Sequence, residues 1–180
     1  EYRKHVNICI DNSGSTHTRA TGFCSGVLQS VAQNLIDILK TASQQYEGIT
    51  WGVYNFNRIT KCELFYGKEW VDEYNYISDW GGSHFMIEDP LQKDGQKTNL
   101  APLMEEILSK ETEHDLINEP RLDIILTDGE FENQRDANKA INWQRQRGGN
   151  IFTYVLNVCP ELPSDIELPP QFRVIPVGTI

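Results

Sequence analysis

The sequence predicts an α/β protein: a Rossmann-like, mostly parallel central sheet with one antiparallel edge hairpin strand, flanked by helices on both faces. Three observations carry that prediction. Residues 5–11 are a strand-length run of nearly continuous apolar character, as central parallel strands are, and residues 122–127 and 151–158 read as further strands. Amphipathic segments with apolar residues at three- and four-residue steps lie between them. Strand and helix patterns alternate along the chain, the order that yields a parallel sheet covered on both sides.

The elements follow in order. Residues 5–11 form the first strand. From Cys24 to Tyr46 the residues Val27, Leu28, Val31, Leu35, Ile38, Leu39 and Ala42 make one helical stripe, which Gly48 ends. Residues 49–56 and 59–66 are two strands separated only by Asn57-Arg58, hence an antiparallel hairpin. Trp70, Val71, Tyr74 and Ile77 are spaced for a short helix, broken by Trp80-Gly81-Gly82-Ser83. Residues 83–97 read as an irregular loop. Leu100, Leu103, Met104, Ile107 and Leu108 mark a second amphipathic helix starting just after Thr98. Residues 109–120 read as a polar connection. Residues 122–127 are a buried strand followed at once by Asp128-Gly129. Residues 134–147 are helical, with Ala137, Ala140 and Ile141 facing inward and Gly148-Gly149 as the stop. Residues 151–158 and 172–177 are the last strands, separated by a proline-rich loop.

The chain has 180 residues, enough for one domain with a sizeable core; residues 1–180 read as a single domain, and the missing initiator Met is compatible with a longer parent chain. Its formal net charge is −10, with no basic run, which argues against nucleic acid and anionic membrane surfaces as partners. No stretch is long and apolar enough to span a bilayer. The cysteines (Cys9, Cys24, Cys62, Cys159) and histidines (His5, His17, His84, His114) are scattered, without zinc-ligand spacing. No Asn-x-Ser/Thr sequon occurs. Together these lean toward a reducing, cytoplasmic setting, with extracellular adhesion as the alternative.

The candidate site starts at Asp11-Asn12-Ser13-Gly14-Ser15. An apolar strand ends in a carboxylate, and hydroxyls follow at i+2 and i+4. Such hard oxygens suit Mg²⁺ or Ca²⁺. An ordinary polar turn has the same composition, so this stretch alone does not decide. Open α/β sheets place ligand sites outside the carboxyl ends of their strands. Asp128 follows a later buried strand, and Thr98 stands just before a helix at the same edge. Three separated segments therefore bring hydroxyls and carboxylates together.

Asp11-x-Ser13-x-Ser15 after a strand, Thr98 within Gly-Gln-Lys-Thr-Asn-Leu-Ala-Pro-Leu, and Thr127-Asp128-Gly129 after another strand resemble a von Willebrand factor type A (VWA) domain with its metal-ion-dependent adhesion site (MIDAS), in the family's order. The resemblance covers essentially the whole chain. It implies that Ser13, Ser15 and Thr98 offer hydroxyls directly to a divalent cation, Mg²⁺ or alternatively Mn²⁺ or Ca²⁺. It further implies that Asp11 and Asp128 act directly or through water. Neutral hydroxyls leave the ion electrophilic, so a protein partner's Asp or Glu can complete its shell. The resemblance also implies a setting: intracellular members of the family often serve in multi-subunit machines, including partners of ring ATPases, and extracellular members serve in adhesion. His17, Lys97 and Glu130 are candidates for the partner-binding rim, although exposed loop residues of these types are common without such a role. Two departures are a Lys at position 97, where many relatives have Gly, and no helix after the last strand.

The resemblance implies a binding module, not an enzyme. The competing reading is a Mg²⁺-dependent phosphatase-like hydrolase using Asp11 as nucleophile. It needs a second Asp two residues on, and Ser13 at that position has no useful pKa for acid–base work. A structural domain with an empty or vestigial site is a third reading, disfavoured because all five metal positions carry suitable oxygens.

Overall fold

The computed structural model describes residues 4–11, 27–46, 48–57, 60–65, 98–129, 131, 133–158 and 166–177. In chain order these form β1 (Lys4–Asp11), α1 (Val27–Gln45), β2 (Ile49–Phe56), β3 (Thr60–Phe65), α2 (Ala101–Glu113), β4 (Arg121–Thr127), α3 (Gln134–Gln146), β5 (Ile151–Asn157) and β6 (Phe172–Pro176). The six strands make one sheet in the order β3-β2-β1-β4-β5-β6. Only β3 runs antiparallel, paired to β2 across a register shift at Val53/Tyr54. The expected α/β architecture, including the antiparallel edge strand, is what the chain adopts. The expected short helix around Trp70–Ile77, the loop at residues 83–97 and residues 178–180 lie outside the described residues.

Period-two alternation sorts the strand residues between two cores. On one face Ile8, Ile10, Trp51, Val53 and Leu126 pack under Leu28, Ala32 and Ile36 of α1. On the other, Cys9, Tyr54, Phe56, Ile125 and Val155 pack under Leu103, Met104 and Ile107 of α2 and Ala140 of α3. Burying a residue on each side of a strand removes the polar alternation, which is why β1 reads as nearly continuous. Among the described residues no helix is long and apolar enough to cross a membrane.

One expectation is corrected. Residues 109–120 are not all connection, because α2 continues to Glu113. Within that last turn Lys110 is half-buried and Thr112 and Glu113 are exposed, but Glu111 stands on the same stripe as Met104 and Ile107 and is fully inaccessible. It is held there by guanidinium groups, Arg121 Nη1 at 2.6 Å and Arg147 Nε at 2.5 Å. Helical periodicity persists to this turn, but with an acid at the buried position, which hides it from an apolar pattern.

These pairs belong to a larger polar cluster beneath α2 and α3. Arg147 also grips Asp123 through Nη1 at 2.5 Å and Nη2 at 2.8 Å. Asp123 in addition accepts from Asn7 Nδ2 at 3.0 Å and Thr153 Oγ1 at 2.7 Å. Burial opposes ionisation of Asp123, but the Arg147 charge and these hydrogen bonds outweigh it and hold its carboxyl below the usual carboxylate range. His5 extends the cluster, with Nε2 at 2.8 Å from Asn7 Oδ1 and Nδ1 at 2.8 Å from Thr50 Oγ1. Burial pushes its pKa down to about 4, so it is neutral at physiological pH.

Candidate metal centre

β1 pairs in parallel with β2 on one side and β4 on the other, so the order of connections reverses at β1/β4. Crevices at such a switch point, beyond the strands' carboxyl ends, are where open α/β sheets bind ligands. Asp11 is the last residue of β1, and Asp128 follows the last residue of β4. Ile10 and Leu126 are register partners, which brings these two strand ends side by side. Thr98 reaches the same place from the segment that opens α2, anchored by a 2.9 Å bond from Asn99 N–H to the Asn57 carbonyl just past β2.

The side chains meet. The Thr98 hydroxyl donates to Asp11 Oδ1 at 3.4 Å, and the Thr127 hydroxyl donates to Asp11 Oδ2 at 2.7 Å. Thr127 Oγ1 in turn accepts from Gly129 N–H at 3.1 Å, tying the Asp11 carboxylate to the loop that carries Asp128. Asp11, Thr98, Thr127 and Asp128 are all buried. Three of the predicted ligand positions, Asp11, Thr98 and Asp128, are thus at one edge of the sheet, with Asp11 and Thr98 in direct contact. Ser13, Ser15, His17, Lys97 and Glu130 lie outside the described residues. Among the described residues no group of three or more His, Cys, Asp and Glu is placed to hold a metal. The oxygens described at this edge are the Asp11 and Asp128 carboxylates and the Thr98 and Thr127 hydroxyls, donors of the kind a hard cation such as Mg²⁺ takes.

Sequence reading assigned Thr127 no role of its own. Its signal was available: β4 alternation puts Thr127 on the face of Ile125 and Asp123, the face on which Asp11 also lies. Gly129 is a second local requirement. Its φ of +90° disfavours side chains, and a Cβ there would stand 2.7 Å from Asn157 Nδ2 at the end of β5. Gly129→Ala is expected to cost about 1–3 kcal/mol in urea unfolding, the usual range for a strained backbone position. A change below roughly 0.5 kcal/mol, the scatter of unremarkable surface substitutions, would show that the loop yields freely.

Neither a family model nor a curated protein sequence matches the chain. Solved structures do. The VWA domain of SpRpn10 aligns with 97% of this chain and 88% of its own at TM-score 0.57 and 8% identity. The fold is VWA-like. BatB from Bacteroides thetaiotaomicron aligns with 84% of the chain at TM-score 0.55 and 19% identity, and the alignment spans 65% of BatB. Proximal thread matrix protein 1 from the mussel byssus, in a structure with a zinc-occupied MIDAS motif, aligns with 87% of the chain at TM-score 0.52 and 13% identity. The alignment spans 38% of that protein. At these identities the likeness is one of fold.

Proposed function

We propose that this VWA-like domain is a metal-dependent protein-interaction module. In this reading Thr98, Ser13 and Ser15 offer hydroxyl oxygens to a divalent cation, with Asp11 and Asp128 as direct or water-mediated partners. The observation that carries the reading is the meeting of Thr98, Asp11 and Thr127 at the β1/β4 switch point, beside Asp128. Donation of the Thr98 proton to Asp11 leaves the hydroxyl lone pairs available to a cation. Mg²⁺ is the expected ion, with Mn²⁺ or Ca²⁺ as alternatives; the mussel protein shows that a MIDAS on this fold also accepts zinc. The partner would be a protein that presents an Asp or Glu to the ion. Attraction between an exposed carboxylate and a cation with few charged ligands strengthens as the interface excludes water. A multi-subunit assembly, such as one built on a ring ATPase, is the proposed setting.

The phosphatase reading is disfavoured on geometry as well as on position 13. Both oxygens of Asp11 accept hydroxyl protons, which draws electron density away from any attack by the carboxylate. Affinity capture from extract, with and without EDTA, tests the proposal. A partner is expected to be retained with Mg²⁺, released by EDTA and lost with Asp11→Ala. Capture indifferent to both treatments would overturn the metal-dependent reading. Phosphate release from model phosphoesters that vanishes in Asp11→Asn would favour the hydrolase.

A further inference from the structure

The start of α2 lacks a local cap. Leu100, its N-cap residue, makes no side-chain capping bond, the first turn contains no acid, and Pro102 offers no N–H. A helix N-terminus in that condition leaves backbone donors without intrahelical acceptors and carries a partial positive charge. Here the acceptor comes from another helix. Asp136 Oδ2 takes the Leu100 N–H at 2.7 Å, and the Asp136 carboxylate shares the Ala101 N–H at 3.4 Å. Asp136 is itself placed by the N-cap of α3, where Asn133 Oδ1 accepts the Asp136 N–H at 2.8 Å.

This cross-helix cap joins two of the segments that converge on the candidate metal centre. Thr98 precedes Leu100 by two residues, and α3 begins shortly after Asp128. Asn99 is pinned from the other side by the Asn57 carbonyl at 2.9 Å. Thr98 therefore directly precedes two successive tethers, Asn99 to the end of β2 and Leu100-Ala101 to α3. We propose that Asp136 is a positioning residue for Thr98: by holding the α2 N-terminus from α3, it fixes the Thr98 hydroxyl against Asp11. The proposal rests on the metal-binding reading above. A side-chain oxygen at this place is suited to the task, because it accepts the backbone N–H groups that a helix start leaves without intrahelical partners.

The test is calorimetric titration of Mn²⁺ into the chelated full chain. Asp136→Ala is expected to weaken Mn²⁺ binding about ten-fold, at the low end of the range for residues that orient metal ligands. Asp136→Asn keeps an acceptor for the Leu100 N–H while removing the charge, and is expected to restore affinity to within about three-fold of wild type, since the geometry and not the charge is what orients the ligand. Ile36→Val, a destabilising control in the opposite core, is expected to leave affinity unchanged. If Asp136→Ala does not fold, Asp136→Glu replaces it, because the extra methylene displaces the carboxylate and binding should still fall. Wild type that binds no Mn²⁺ overturns the metal reading and this proposal with it. Wild type that binds, with Asp136→Ala (or Asp136→Glu) equally tight, overturns the role of Asp136 alone. Loss of affinity in Asp136→Asn equal to that in Asp136→Ala would show that charge, not positioning, is responsible, and would also overturn it.

Discussion

Mg²⁺ or Mn²⁺ added to the chelated protein is expected to give a saturable heat of binding, and Thr98→Ala combined with Asp128→Ala is expected to abolish it. Partners that merely orient metal ligands are worth about 10–100-fold in affinity, so removing two ligand positions should cost more than about 100-fold. Linkage gives a second readout. An ion that binds only the folded state adds about 2.7 kcal/mol of stability at one hundred times its Kd. For a chain of this size each kcal/mol moves the melting midpoint by about 2–4 °C, so saturating metal should raise it by roughly 5–11 °C. The double variant should melt at the same temperature with and without metal. Asp11 needs separate treatment, because its carboxylate also receives the Thr127 hydroxyl at 2.7 Å. Asp11→Ala leaves that buried hydroxyl without its acceptor, so it is expected to lose stability even without metal. No heat at millimolar metal, or unchanged heat in the double variant, would dispose of the metal centre.

The parts of this site that could be read in the sequence are those fixed by local pattern. Asp11 ends an apolar run, Asp128 follows another, and Thr98 opens an amphipathic helix. Each statement needs only a few neighbouring residues, and the parallel-sheet topology then forces the three to one edge. The contacts that hold the edge together were not legible, because they join residues far apart in sequence. Asp136 in the first turn of α3 looks like an ordinary helix-starting acid. Nothing local says that its carboxylate serves Leu100 and Ala101 on another helix. Glu111 misled for the same reason. An acid between Lys110 and Thr112 reads as a solvated turn, and only Arg121 and Arg147, which follow it in the chain, make its burial tolerable. Local pattern located the strands, while paired charges from elsewhere in the chain account for the buried acid in the last turn of α2.

Those paired charges lead to the largest expected loss of stability. Arg147 is fully buried and is the only group that touches both Glu111 and Asp123 among the ion pairs described. Burial alone would favour its neutral form, but the two carboxylates raise its pKa and keep it charged. A buried pair of this kind contributes little net stability over an apolar substitute, yet breaking it from one side leaves an uncompensated charge. Arg147→Met is therefore expected to destabilise by about 3–5 kcal/mol in urea unfolding. Asp123 would keep only the neutral donors Asn7 and Thr153, and Glu111 would keep Arg121. Adding Asp123→Asn to Arg147→Met removes the stranded charge and should recover part of the loss, giving a coupling of at least about 1 kcal/mol in the double-mutant cycle. The cluster lies toward the start of the strands, since Asp123 pairs with Asn7 while the candidate centre begins at Asp11. Metal affinity should accordingly stay within about two-fold of wild type in Arg147→Met, because distant sites act nearly independently. A stability loss below about 1 kcal/mol would mean that the core relaxes or admits water around the two carboxylates, removing the penalty for an unpaired buried charge. A large loss of metal affinity would instead show that the charge cluster and the metal edge move as one unit.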